Sequence, residues 1–81
     1  MTRDEVMSLV RAHLAEELEV EAGSISEQTR FKDDLDADSL DLYELVMELE
    51  DRYGISISEE QAAQIHSVGD AVDFVLQHAP A

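Results

Sequence analysis

Between Asp38 and Gly54 the sequence spells out one amphipathic helix from cap to cap. At about 100° per residue, Leu42, Leu45, Val46, Leu49 and Tyr53 fall on a single stripe. Asp38 is a strong N-cap residue, and Asp41 three positions later sits where the helix dipole favours an acid. Gly54 suits the turn that ends such a helix. A stripe this well marked must be laid against something, and the rest of the chain offers more helices. Thr2 and Glu5 have the spacing of a capping box, and Val6, Leu9, Val10 and Leu14 follow at helical intervals, which predicts a first helix ending near Leu18. Ser58 with Gln61 opens a short third helix that ends near Gln64. Ser67 with Asp70 opens a fourth, buried through Val68, Ala71, Val72 and Val75 and flanked by Phe74 and Leu76, with Pro80 closing the chain. The connection from Glu19 to Asp38 is long for a structureless loop. Val20, Ile25, Phe31 and Leu35 within it are expected to pin it to the core. The expected fold is all-α: a small four-helix bundle with a long first loop and a short third helix, one unit spanning residues 1–81.

A chain of 81 residues has a thin core, and chains this short often rely on disulfides or a metal. This one has no cysteine, which excludes both a disulfide and a thiolate metal site and leaves any thiol chemistry to a sulfur the sequence does not encode. Apolar residues at 44% are enough for a packed bundle. The net charge of −15, from 20 acids against 5 bases, opposes nucleic acid, whose binding runs on Lys and Arg neutralising phosphates. It equally opposes stable attachment to anionic membranes. Such a surface favours steered encounters with basic protein partners. The opening MTRDEV carries acids where a secretory signal needs an apolar stretch, and no apolar run is long enough to span a bilayer. A cytoplasmic, monomeric protein is expected.

The segment Asp34–Asp51, DLDADSLDLYELVMELED, holds eight carboxylates, no positive charge and one serine, Ser39. Two sharp readings of it can be weighed by spacing. Asp34, Asp36 and Asp38 fit the first ligand positions of a calcium-binding loop, but Ser39 stands where glycine is required and Leu45 where the closing glutamate belongs. No metal site is assigned. A catalytic serine needs a base and an oxyanion hole, yet His13, His66 and His78 are scattered, no G-x-S-x-G elbow is present, and the negative field opposes an oxyanion. No catalytic residue is assigned. Two readings then remain open for Ser39: local helix-capping chemistry, which propensity alone favours, or a point of covalent attachment at the first helical turn, where backbone amides tolerate a phosphate. On the face away from the stripe, Leu40 and Met47, with Tyr43 at the edge, stand among Glu44, Glu50 and Asp51. That pattern fits a docking surface as well as it fits a surface with scattered apolar residues.

The run DADSLDLYELVMELED resembles the signature of acyl carrier proteins, an Asp-Ser-Leu followed by an acidic amphipathic helix. FKDDL before it, and YGISIS and AAQIHSVGDAV after it, extend the resemblance over nearly the whole chain. The resemblance implies that Ser39 carries 4′-phosphopantetheine, transferred from coenzyme A by a magnesium-dependent phosphopantetheinyl transferase, and that the thiol of this arm carries acyl groups as thioesters. It implies a carrier and not an enzyme. Its partners would be acyltransferase, ketosynthase, reductase and dehydratase enzymes with basic docking patches. By position, Asp38, Leu40, Asp41, Tyr43, Glu44, Met47, Glu50 and Asp51 would form the recognition face. Leu42, Val46, Leu49, Ile57, Ala62, Ile65 and Ala71 would line the cleft for the acyl chain, with the small residues Ala62, Ala63 and Ala71 leaving space. The likeness is to discrete carriers of fatty acid synthesis. A discrete polyketide carrier and, from another class, an unmodified acidic interaction module are the alternatives. Asp36 stands where many relatives have Gly, Tyr43 where a small aliphatic residue is common, Leu42 where several have a smaller polar residue, and Tyr53 where Phe is frequent. Finally, crowded acids repel, so stability is expected to rise with salt or divalent cations.

Overall fold

The computed structural model describes residues 2–79; Pro80 lies outside them. Among these residues the helices are α1 (Arg3–Leu18), α2 (Ser39–Tyr53), α3 (Glu59–Ala63) and α4 (Val68–His78), with a 3-10 turn at Ala22–Ser24. Each helix opens on a complete reciprocal capping box: Thr2 with Glu5, Asp38 with Asp41, Ser58 with Gln61, and Ser67 with Asp70. In each, the cap side chain accepts a backbone N–H of the first turn, and the third residue's side chain accepts the N–H of the cap. α2 ends on Gly54 at φ 65°, a left-handed conformation that glycine adopts without steric cost. α1 ends instead on Glu19 at φ 56°.

α1 packs against α2, α4 and the 3-10 turn. The centre of the bundle is aliphatic: Val6, Val10 and Leu14 from α1, Leu45 and Leu49 from α2, and Val68, Val72 and Val75 from α4 are all buried, with Ile25 inserted from the connection. Fully burying one such side chain contributes about 1.5–3 kcal/mol, so these positions supply most of what holds a chain of this size together.

The long connection is pinned, as its apolar residues suggest. Ile25 and Phe31 are buried, and Val20 and Leu35 pack against the core. Thr29 and Ala37, not singled out from the sequence, are buried too. Hydrogen bonds complete the attachment, because a buried loop must satisfy its backbone. The Val68 N–H donates to Thr29 O and the Gly69 N–H to Glu27 O, each at 2.9 Å, so loop carbonyls serve two of the free amides at the start of α4. The Phe31 N–H donates to His66 O at 3.1 Å beside an isolated antiparallel bridge between Arg30 and Ser67. Gly69 is obligatory for the close approach: a Cβ there would meet Glu27 O at 2.9 Å. Arg3 adds a surface tie, donating to Glu27 on the connection and Asp73 on α4. Those two hydrogen bonds hold its guanidinium protonated even beyond the ordinary arginine range.

Candidate functional site

α2 begins at Ser39, but Ser39 does not cap it. That work belongs to Asp38, whose Oδ1 accepts the Asp41 N–H at 2.9 Å while Asp41 Oδ2 accepts the Asp38 N–H at 3.1 Å. Ser39 is the first residue inside the helix, exposed, with no hydrogen bond to its hydroxyl among the described residues. Of the two readings the residues left open, local capping is therefore already performed by a neighbour. The backbone before Ser39 makes a turn in which the Ala37 N–H donates to Phe31 O at 2.8 Å and Asp36 takes φ 53°. This is a left-handed position, which favours glycine. Asp, like Asn, tolerates it better than most side chains.

Ser39 opens on a cavity of about 460 Å³. One wall is the pinned connection, through Arg30, Phe31, Lys32, Asp33 and Ala37; the other is the α3 region, through Ala62, Ala63, Ile65 and His66; Asp38 and Leu42 join Ser39 at the α2 end. Of the seven cleft positions expected from the resemblance, Leu42, Ala62 and Ile65 line this space. Val46, Leu49 and Ala71 are packed in the interior and Ile57 is half-buried away from the cavity. Val46 and Leu49 lie one and two turns beyond Leu42, where the stripe dives among packed neighbours. An acyl chain reaching them would have to part side chains now in contact. Phe31, Ala37, Ala63 and the polar residues Arg30, Lys32, Asp33 and His66 were not assigned to the site from sequence. Only the small size of Ala63 hinted at a void, because a loop's contribution to a wall depends on where tertiary hydrogen bonds hold it.

On the outer face of α2, Leu40, Tyr43 and Met47 are 62%, 58% and 48% exposed. Glu44 and Asp51 are exposed beside them, as is Asp38 at the helix start. Apolar side chains this open on one short helix, bordered by one sign of charge, make a surface suited to a basic partner. Two of the eight expected recognition residues are tied inward. Asp41 is half-buried in its capping box, and Glu50 accepts the Ile57 N–H at 2.9 Å, fastening α2 to the approach to α3. Carboxylate oxygens of Asp41 and Glu44 also lie within 4.8 Å of one another and of Glu17 on α1, and His13 Nε2 lies 2.7 Å from Glu17 Oε2. The sequence reading did not single out Glu17, since nothing local shows that α1 brings it to the start of α2.

Residues 8–75 match the family described as the phosphopantetheine attachment site. The chain belongs to that family. Its cofactor is accordingly phosphopantetheine, and the residues present fit such a group: an unengaged hydroxyl on a fixed helix end, at the mouth of a cavity. The acyl carrier protein of Lactobacillus acidophilus is 41% identical over 78 residues, covering 96% of this chain and 98% of that protein. The acyl carrier protein of Rubrobacter xylanophilus is 41% identical over 81 residues, all of both chains. The solved structure of an acyl carrier protein from Enterococcus faecalis superposes with a TM-score of 0.84 at 42% identity, covering 98% of this chain and 100% of that one. The family is one of carriers and not of catalysts, and no helix among the described residues is long and apolar enough to cross a membrane.

Proposed function

We propose that this chain, folding as one unit, is a discrete acyl carrier of fatty acid synthesis and that Ser39 is the attachment point of its arm. The observation that carries the assignment is the free, exposed Ser39 hydroxyl beside the cavity, with the capping role filled by Asp38. In the loading step Ser39 Oγ forms a bond to the phosphorus that bears the pantetheine of coenzyme A. The P–O bond to the nucleotide breaks, 3′,5′-ADP leaves with the bonding pair, and the serine proton passes to the transferase. Once bound, the arm supplies a thiol on which acyl groups travel as thioesters. The chain itself performs no bond chemistry and works in the cytoplasm.

Its own residues have two tasks. The cavity shelters part of the cargo, and each buried methylene contributes about 0.8 kcal/mol, enough to hold a few carbons and still release them. The α2 face steers enzymes with Lys and Arg patches. Exposed ion pairs contribute only about 0.2–1 kcal/mol each, so several of them orient a partner without trapping it. Transferase, acyltransferase, ketosynthase, reductase and dehydratase are the partner classes this face would meet.

The test is intact mass after incubation with coenzyme A, magnesium and a broad-specificity phosphopantetheinyl transferase. The wild-type chain is expected to gain one phosphopantetheinyl group and Ser39→Ala none. A wild-type chain that gains nothing, or a Ser39→Ala chain that gains as much, would refute the assignment. Loaded carrier offered to fatty-acid and polyketide ketosynthases then separates the pathways; turnover by the latter alone would overturn the fatty-acid reading.

A further inference from the structure

The cavity beside Ser39 is lined by two of the few cations of an acidic chain, together with the carboxylates of Asp33 and Asp38. There are five Lys and Arg residues in all. Arg3 is held by Glu27 and Asp73, Arg11 donates to Ile25 O, and Arg52 lies 3.6 Å from Glu48. The remaining two, Arg30 and Lys32, both line the cavity. Arg30 has one loose, exposed contact to Asp33 at 3.5 Å, and Lys32 has no ion pair among the described residues, although the chain carries 20 acids. Nor is their backbone adrift. The Phe31 N–H between them is bonded to His66 O, and Arg30 bridges to Ser67, so both cations stand on a strand of chain fixed to the far wall.

We propose that Arg30 and Lys32 form a cationic clamp for the phosphodiester of the arm on Ser39. The inference rests on the attachment reading above and adds what the arm does next. A phosphodiester on Ser39 Oγ places a full negative charge beside Asp38, Asp36 and Asp41, in a field that pushes it outward. Two cations in the cavity wall oppose that push, Lys32 as an unpaired point charge and Arg30 with a planar fork suited to phosphate oxygens. The arm's first group is thereby drawn toward the cavity, and the rest is laid along its length against Ala63 and Ile65. Both residues are positioning residues: they take no part in attachment, and they bias the arm between sheltered and extended states.

The experiment compares amide NMR shifts of the full-length chain before and after phosphopantetheinylation, at low salt, with modification verified by mass. In the wild type the Ala63 and Ile65 amides are expected to shift on modification, and the shift to shrink as salt is added. In Arg30→Gln/Lys32→Gln the sheltered population falls about two- to fivefold, the span that exposed charge pairs control, and the Ala63 and Ile65 shifts fall with it. The charge-preserving variant Arg30→Lys/Lys32→Arg retains them. The phosphorus resonance of the arm gives an independent readout, salt-sensitive in the wild type and flat in the Gln variant. Equal shifts in the wild type and the Gln variant, or wild-type shifts indifferent to salt, overturn the clamp. Absence of any mass gain on the wild type instead removes the attachment reading on which the clamp depends.

Discussion

Replacing Asp38 and Ser39 separately by alanine sets neighbouring residues with different jobs against each other. Asp38 Oδ1 accepts the Asp41 N–H at 2.9 Å, the side-chain half of the α2 capping box. Losing such a cap costs about 0.5–2 kcal/mol, with about 1 typical. Two charge effects modify this and largely cancel. Removing a carboxylate from the helix start forfeits about 0.3–1 kcal/mol of dipole interaction. Removing it from an acidic run relieves repulsion of roughly 0.8 kcal/mol for a like charge about 5 Å away in water, less when screened. The net expectation for Asp38→Ala is a loss near 1 kcal/mol. With an m-value of about 1 kcal/mol/M in urea, the denaturation midpoint falls by about 1 M. Ser39→Ala removes a hydroxyl that bonds nothing among the described residues, and alanine is the better helix former. Its midpoint is expected to stay within about 0.5 M of wild type, on the same m-value. Urea titrations followed by circular dichroism in moderate salt measure both. If Ser39→Ala proved as costly as Asp38→Ala, the hydroxyl would be structural and capping would not belong to Asp38 alone.

Two further perturbations examine the frame around the site. Gly69→Ala should destabilise the chain by about 1–2 kcal/mol although helix propensity alone favours alanine by about 1, because its Cβ would meet the Glu27 carbonyl oxygen at 2.9 Å and displace the loop; a raised melting temperature would contradict this. The melting temperature should also climb with sodium chloride and more steeply with magnesium, since Glu17, Asp41 and Glu44 hold carboxylate oxygens within 4.8 Å of one another, where each like pair repels by about 1 kcal/mol even in water. Glu17→Gln should flatten that dependence, and an unaltered salt response in the variant would place the strain elsewhere.

The helices were legible because their signals are local. A capping box occupies four consecutive residues, and a stripe such as Val6, Val10 and Leu14 needs only the helical period to be read. The candidate site was half legible for the same reason: Ser39, the helix cap Asp38 and the exposed Leu40, Tyr43 and Met47 all belong to α2 and its cap. What stayed hidden joins residues far apart in sequence. The hydrogen bond from Phe31 to His66 and the contact of Gly69 with Glu27 arise only when the connection meets the start of α4. Those same contacts decide which apolar residues face a void. Leu42 and Leu49 are both leucines of one stripe, yet the first lines the cavity and the second is sealed in the core.

The placement of that void has a mechanical consequence. Its walls are the connection near Arg30–Ala37 and the α3 region, and these meet through the Phe31–His66 and Arg30–Ser67 pairings. The aliphatic centre, by contrast, is built chiefly from α1, α2 and α4. α3 is five residues long and has no fully buried side chain, so little apolar burial resists its displacement. Local opening should therefore concentrate there, where free energy between closed and open forms is smallest. On the carrier function proposed above, the cavity beside Ser39 widens for a longer acyl chain by moving α3 alone, while the α2 face proposed to meet partners keeps its shape.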